Sequence, residues 1–173
     1  DGTGTMLTGS PGTSKTSLAS SFVAAACATG EQSLFVSFDE ATEQIIANMR
    51  SIGLDLQKHI DSGHLRLASM VSGVRGPEEH FRALRRLLDA APTTCLVIDP
   101  LSALSRHSYP FTALISDNVV VYAKSRGLTV LVTSLLGRAE AGGDKEISAA
   151  NVSTVADTWM HVSYIINNGE RNR

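Results

Sequence analysis

The chain is short of cysteine, of net charge and of long apolar runs, and each shortage removes a class of function. Only Cys27 and Cys95 are cysteines among its 173 residues. Neither belongs to a CxxC pair or to a histidine spacing that would suggest zinc or a disulfide framework. Both are expected as buried free thiols in a reducing, cytoplasmic compartment. The formal charge is -2 and charged residues make up 18%, which argues against a broad nucleic-acid surface. No apolar run approaches the length of a membrane span and no signal peptide is visible, so no membrane contact is expected. Linkers, repeats and low-complexity tracts are missing too. What remains is a chain with 43% hydrophobic residues, suited to a single globular domain with a substantial core. It begins at Asp1 without a methionine. The expectation is one domain over residues 1–173, a fragment truncated at both ends.

What is present begins with Gly9-Ser10-Pro11-Gly12-Thr13-Ser14-Lys15-Thr16. It lies between a predicted strand, Thr5 to Thr8, and a predicted helix, Ser17 to Ala28. A nucleoside triphosphate needs inward-turned backbone N–H groups at a helix N-terminus, a flexible cation and a hydroxyl for the metal. Gly9 and Gly12 let the loop curl, Pro11 stiffens it, Lys15 can reach the β- and γ-phosphates, and Thr16 can ligate Mg²⁺. The predicted nucleotide-binding run is therefore Gly9, Ser10, Pro11, Gly12, Thr13, Ser14, Lys15, Thr16 and Ser17. Ser14 departs from the usual G-x-x-x-x-G-K-[ST] pattern, which has glycine there; serine is expected to fit with a negative φ.

Further along, Ser33–Phe38 reads as a buried parallel strand ending at the acidic pair Asp39-Glu40. Carboxylates there would lie at the carboxyl edge of the sheet, where open α/β folds bind ligands. Thr42 is the expected cap of a second helix whose Ile45, Ile46, Met49 and Ile52 follow helical spacing, with Gly53 as its stop. Leu65–Met70 is a third strand. Pro77, Glu78 and Glu79 open a third helix with the apolar face Phe81, Leu84, Leu87 and Leu88. Its arginines lie mostly opposite, with Arg85 expected to pair with Asp89.

Cys95-Leu96-Val97-Ile98-Asp99 delivers one acid to the sheet edge and has the form of a Walker B strand, so Asp99 would hold Mg²⁺ opposite Thr16. Phe111, Ile115, Val119 and Tyr122 pattern a fourth helix, and Thr129–Thr133 a fifth strand. The Gly-rich segment Leu136–Ser148 is expected to be a mobile loop facing the ligand or a neighbouring subunit. Met160–Ile166 reads as one strand entering a hairpin at Asn168-Gly169. Alternation of strand and helix predicts an α/β fold: a mostly parallel, doubly wound sheet with helices on both faces, closed by a C-terminal antiparallel hairpin. One strand is expected between those carrying the phosphate loop and Asp99.

Four blocks in this order, GSPGTSKTSLA, SFDEATEQIIANMRSIGLDL, LVIDPLSAL and VSTVADTWMHVSYIINNGERNR, resemble the KaiC family within the RecA-like P-loop ATPases, over nearly the whole chain. Relatives with Ala or Ser before the loop lysine are familiar. The resemblance implies slow hydrolysis of ATP with Mg²⁺, at subunit interfaces of a homo-hexameric ring that serves a signalling or circadian-clock assembly. It implies that the acidic pair after the second strand activates the attacking group, with Glu40 favoured as general base over the shorter Asp39. It also offers Ser153 and Thr154 as autophosphorylation sites. Relatives continue into a strand bearing Lys-x-Arg-Gly, which this chain lacks; Arg171 and Arg173 could add charge at an interface. Two other classes stay open. A RecA- or DnaB-like DNA-dependent ATPase would present basic and aromatic loop residues, here Arg106, His107, Tyr109 and Arg138 against Glu140, Asp144 and Glu146. A scaffold ring cemented by unhydrolysed ATP is the other. Trp159 and His161 are expected to pack at the sheet or a subunit boundary.

Overall fold

Strands buried on both faces need apolar residues at consecutive positions, and the runs that satisfy this form the middle of the sheet. A computed structural model describes residues 2–70, 76–105, 112–135, 156–167 and 170–172. In chain order the elements are β1 (Gly4–Gly9), α1 (Lys15–Ala28), β2 (Ser33–Ser37), α2 (Thr42–Ser51), α3 (Gln57–Asp61), β3 (Leu65–Ser69) and α4 (Pro77–Ala90). There follow β4 (Cys95–Asp99), a 3-10 turn (Leu101–Ser105), α5 (Thr112–Ser125), β5 (Thr129–Leu135), β6 (Thr158–Val162), β7 (Ile165–Asn167) and β8 (Glu170–Asn172).

Six strands form one parallel sheet in the order β3-β2-β4-β5-β1-β6. Strand β5 therefore separates β1 from β4, as expected from the sequence. Period-two alternation divides the core. Phe35, Val97 and Leu131 face one side, against Ala19, Val23 and Cys27 of α1 and Ile45 and Met49 of α2. Leu34, Val36, Leu96, Ile98, Val130 and Val132 face the other, against Leu84 and Leu88 of α4 and Val119, Val120 and Ala123 of α5. Truncating a fully buried aromatic such as Phe35 would cost about 3–5 kcal/mol by this packing. Because every strand is parallel, the segments after β1, β2, β4 and β5 all leave the sheet on the same edge. That edge carries the chemistry.

Several local expectations change. Thr42 is the first residue of α2 rather than its cap; Ala41 holds the cap position with extended backbone and no side-chain bond. Arg85 does not pair with Asp89. Its guanidinium stacks over the Tyr122 ring at 5.2 Å, and Asp89 is bonded instead by Arg126 from the end of α5. The run Met160–Ile166 is two strands: β6 joins the main sheet parallel to β1, while β7 pairs antiparallel with β8 in a separate two-stranded sheet. The hairpin thus does not close the main sheet. Its turn at Asn168-Gly169, the segment Leu136–Ser148, the loop basic and acidic residues weighed for nucleic acid, and Arg173 lie outside the described residues. Among the described residues no helix is long and apolar enough to cross a membrane. Cys27 and Cys95 are buried free thiols, and burial pushes the Cys95 thiol up to about 12.

Candidate nucleotide site

The loop after β1 turns over glycines that tolerate no side chain. A Cβ on Gly9 would run into the Val162 carbonyl oxygen, and Gly12 stands at φ +80. Thr13 closes the turn, its hydroxyl donating to the Ser10 carbonyl at 2.8 Å. Ser14 departs from expectation. Its φ is 65 and its ψ 26, left-handed rather than negative, and its side chain does not cap α1. The pattern's usual glycine explains the geometry: the backbone must swing through the left-handed region to start the helix, whichever residue stands there.

Lys15 opens α1 and folds back over the loop. Its ammonium donates to the carbonyls of Gly9 and Ser10, each at 2.8 Å. The side chain is 7% exposed, and burial lowers its pKa against the opposing pull of Asp99. Asp99 ends β4, 6% exposed. Burial raises its carboxyl above the ordinary range, with nearby Asp39 adding to the rise. Hydrogen bonds from Thr133 and Thr16 and the charge of Lys15 oppose it. Thr133, on the neighbouring β5, is the functional residue that the sequence reading missed. Its hydroxyl donates to the Asp99 carboxylate in a buried bond, and a threonine inside an apolar strand gives no local signal of that partner.

Glu40 is held from three directions. Its N–H donates to the Ser37 hydroxyl at 3.0 Å, its carbonyl accepts from Ser69 at 2.9 Å, and Asn48 of α2 donates to its carboxylate at 3.1 Å. Asp39 is more exposed. The side chains thus brought together line one open cleft of about 460 Å³, with Pro11, Gly12, Ser14, Lys15, Thr16 and Ser17 on one wall and Ser37, Asp39, Glu40, Asp99, Pro100 and Leu135 on the other. A magnesium ion fits this donor set. Mg²⁺ in nucleotide sites takes one or two carboxylates and the phosphates rather than an all-protein cage. The described residues offer the Asp99–Thr16 pair and no cluster of three or more metal-ligating side chains.

The start of the loop, at the end of β1, meets β6. Thr8, the residue before Gly9, is fully buried; Trp159 donates to its hydroxyl at 2.8 Å, and His161 Nδ1 lies 3.0 Å from the same oxygen. Trp159 and His161 therefore brace the sheet edge beside the loop, while Trp159 remains 48% exposed. Asp157, just before β6, accepts from the Gly4 N–H at 2.6 Å and pairs with Lys124 at 2.8 Å. Ser153 and Thr154 lie outside the described residues, and Ser10 remains exposed on the loop.

Comparison with known proteins gives the same result along the whole chain. A family model described as "ATPase: KaiC" matches residues 1–173. The "Circadian clock protein KaiC2" of Synechocystis sp. is 33% identical over 173 residues, 99% of this chain and 30% of that protein. The "Circadian clock oscillator protein KaiC" of Synechococcus elongatus is 29% identical over 170 residues, 97% of this chain and 32% of that protein. The KaiC of Picosynechococcus sp. is 28% identical over 170 residues, with the same 97% and 32% shares. The chain thus spans about a third of the length of these relatives. With a phosphate loop, a buried strand-end aspartate and a matching family model over its full extent, the chain belongs to the KaiC family of ATPases.

Proposed function

We propose that this domain binds ATP with Mg²⁺ in the cleft at the carboxyl edge of the sheet and hydrolyses it slowly. The observation that carries the reading is the convergence of Lys15, Thr16, Asp99 and Glu40 on that one cleft. The loop N–H groups and the α1 N-terminus receive the phosphates, and Lys15 neutralises them after leaving the Gly9 and Ser10 carbonyls. Thr16 and Asp99 hold the metal, which when bound supplies charge neutralisation at the phosphate oxygens. Glu40 takes the proton of the attacking water, its carboxylate oriented by Asn48. Asp39 lends negative charge beside it. Assembly into a homo-oligomeric, hexameric ring with nucleotide between subunits, in a cytoplasmic clock or signalling complex, extends this reading; of these, the clock role is supported by the similarity to circadian clock proteins.

The test is to incubate the full chain with Mg-ATP and follow free phosphate, with phosphate on Ser153 and Thr154 followed by peptide mass spectrometry. Slow phosphate release that Lys15→Ala abolishes supports the ATPase. Phosphate on either side chain adds an autokinase reaction to it. Absence of both products together with absence of ATP binding overturns the reading.

A further inference from the structure

The described part of the parallel pairing between β1 and β6 reaches the register Gly9↔Val162. Beyond it both segments leave the sheet together, one as the phosphate loop and the other as Ser163-Tyr164. This shared exit places Tyr164 against the tip of the loop: a Cβ built on Gly12 would lie 2.7 Å from the Tyr164 hydroxyl oxygen and 4.0 Å from the ring carbon that bears it. Before it, Met160, Trp159 and His161 meet the Thr8 hydroxyl, and Val162 lies against Gly9. Tyr164 reaches Gly12. Gly12 in turn lines the phosphate cleft. A loop that must present several N–H groups to one point loses binding strength if its tip wanders, and Gly12 has no side chain with which to anchor that tip.

We propose that Tyr164 is a positioning residue for triphosphate binding: its hydroxyl, seated against Gly12, holds the tip of the phosphate loop in the receiving conformation. Tyr164 directly precedes β7, so it lies between the phosphate loop and the β7–β8 hairpin. The inference rests on the ATP-binding reading above and goes beyond it in naming what sets the shape of the loop.

The experiment is a double-mutant cycle on the full chain, with mant-ATP affinity, KM, kcat and melting temperature measured for wild type, Tyr164→Phe, Gly12→Ala and the double variant. Tyr164→Phe removes one oxygen and is expected to weaken mant-ATP binding and raise KM by roughly three- to tenfold, with kcat unchanged. Gly12→Ala puts a methyl group where the hydroxyl stands and also strains a left-handed backbone. The strain is common to both backgrounds and cancels in the cycle. The cost of Gly12→Ala is therefore expected to be about tenfold smaller with Phe at 164 than with Tyr. Additive losses, or a Tyr164→Phe protein with wild-type affinity and KM, overturn the positioning role. A wild-type chain that binds no mant-ATP sinks the ATP-binding reading itself, an outcome distinct from additive losses in a chain that binds.

Discussion

Replacing Ser14 by glycine should make the nucleotide-free domain more stable, although it removes atoms and adds no contact. Ser14 stands at φ 65 and ψ 26, a conformation that costs an L-residue roughly 1–2 kcal/mol because Cβ crowds the following carbonyl oxygen. Glycine escapes that crowding but gives back about 0.5–1 kcal/mol through its greater freedom in the unfolded chain. The balance favours glycine by up to about 1.5 kcal/mol. In a domain of this size a change of 1 kcal/mol moves the midpoint by roughly 2–4 °C, so the expected gain is at most ~6 °C. No helix cap is lost, since the Ser14 side chain does not cap α1. The assay is thermal unfolding by circular dichroism without nucleotide, at one fixed protein concentration so that any association is held constant. Ser14→Ala is the decisive companion: it keeps the Cβ, hence the crowding, and is expected to give no gain. Equal gains for Ala and Gly, or a loss for Gly, would refute the reasoning, because then the backbone of Ser14 is not where the strain resides.

Asp99→Asn keeps the acceptor oxygen for Thr133 but cannot ionise. In the native chain burial raises the Asp99 carboxyl, so the folded state binds its proton more tightly than the unfolded state does. The stability from this group is complete below the ordinary carboxylate range and is lost as pH rises through the raised value. The variant should flatten that part of a melting profile from mildly acidic to neutral pH, raise nucleotide-free stability at neutral pH, and abolish the Mg²⁺-dependent part of the ATP-induced shift; an unaltered Mg²⁺ effect would remove Asp99 from the metal site. Glu40→Gln should lower kcat by roughly 10²–10⁴-fold while mant-ATP affinity is retained, as expected for the loss of a general base. Asp39→Asn should lower kcat far less, and a reversal of that order would move the base to Asp39.

The parts of the fold legible in the sequence were those with local signatures. Buried strands such as Leu96–Ile98 show as unbroken apolar runs, Pro77 marks the first turn of a helix, and the glycines, lysine and threonine of the phosphate loop stand at fixed spacing. Five-residue α3 escaped because it is too short to display a helical period. Ser163-Tyr164 interrupts β6 and β7 without a glycine or proline to announce the break, so two strands read as one. Partners chosen by tertiary packing left no trace at all. Arg126 lies 37 residues from Asp89 and displaces the i,i+4 arginine predicted for it, and Thr133 lies 34 residues from Asp99. For the site, residue types and order were readable; the left-handed backbone of Ser14 and the Asn48 contact to Glu40 depend on how the elements are brought together.

The inward fold of Lys15 gives the loop a resident occupant. Its ammonium already satisfies the Gly9 and Ser10 carbonyls, so in the proposed reading a triphosphate must draw that cation away from two tethered acceptors whose local concentration never falls. Binding is then an exchange of partners for one cation, with little net gain in hydrogen bonds from the lysine itself. Release runs the same exchange backwards. In the proposed reading, the two carbonyls are the acceptors to which Lys15 returns when nucleotide leaves.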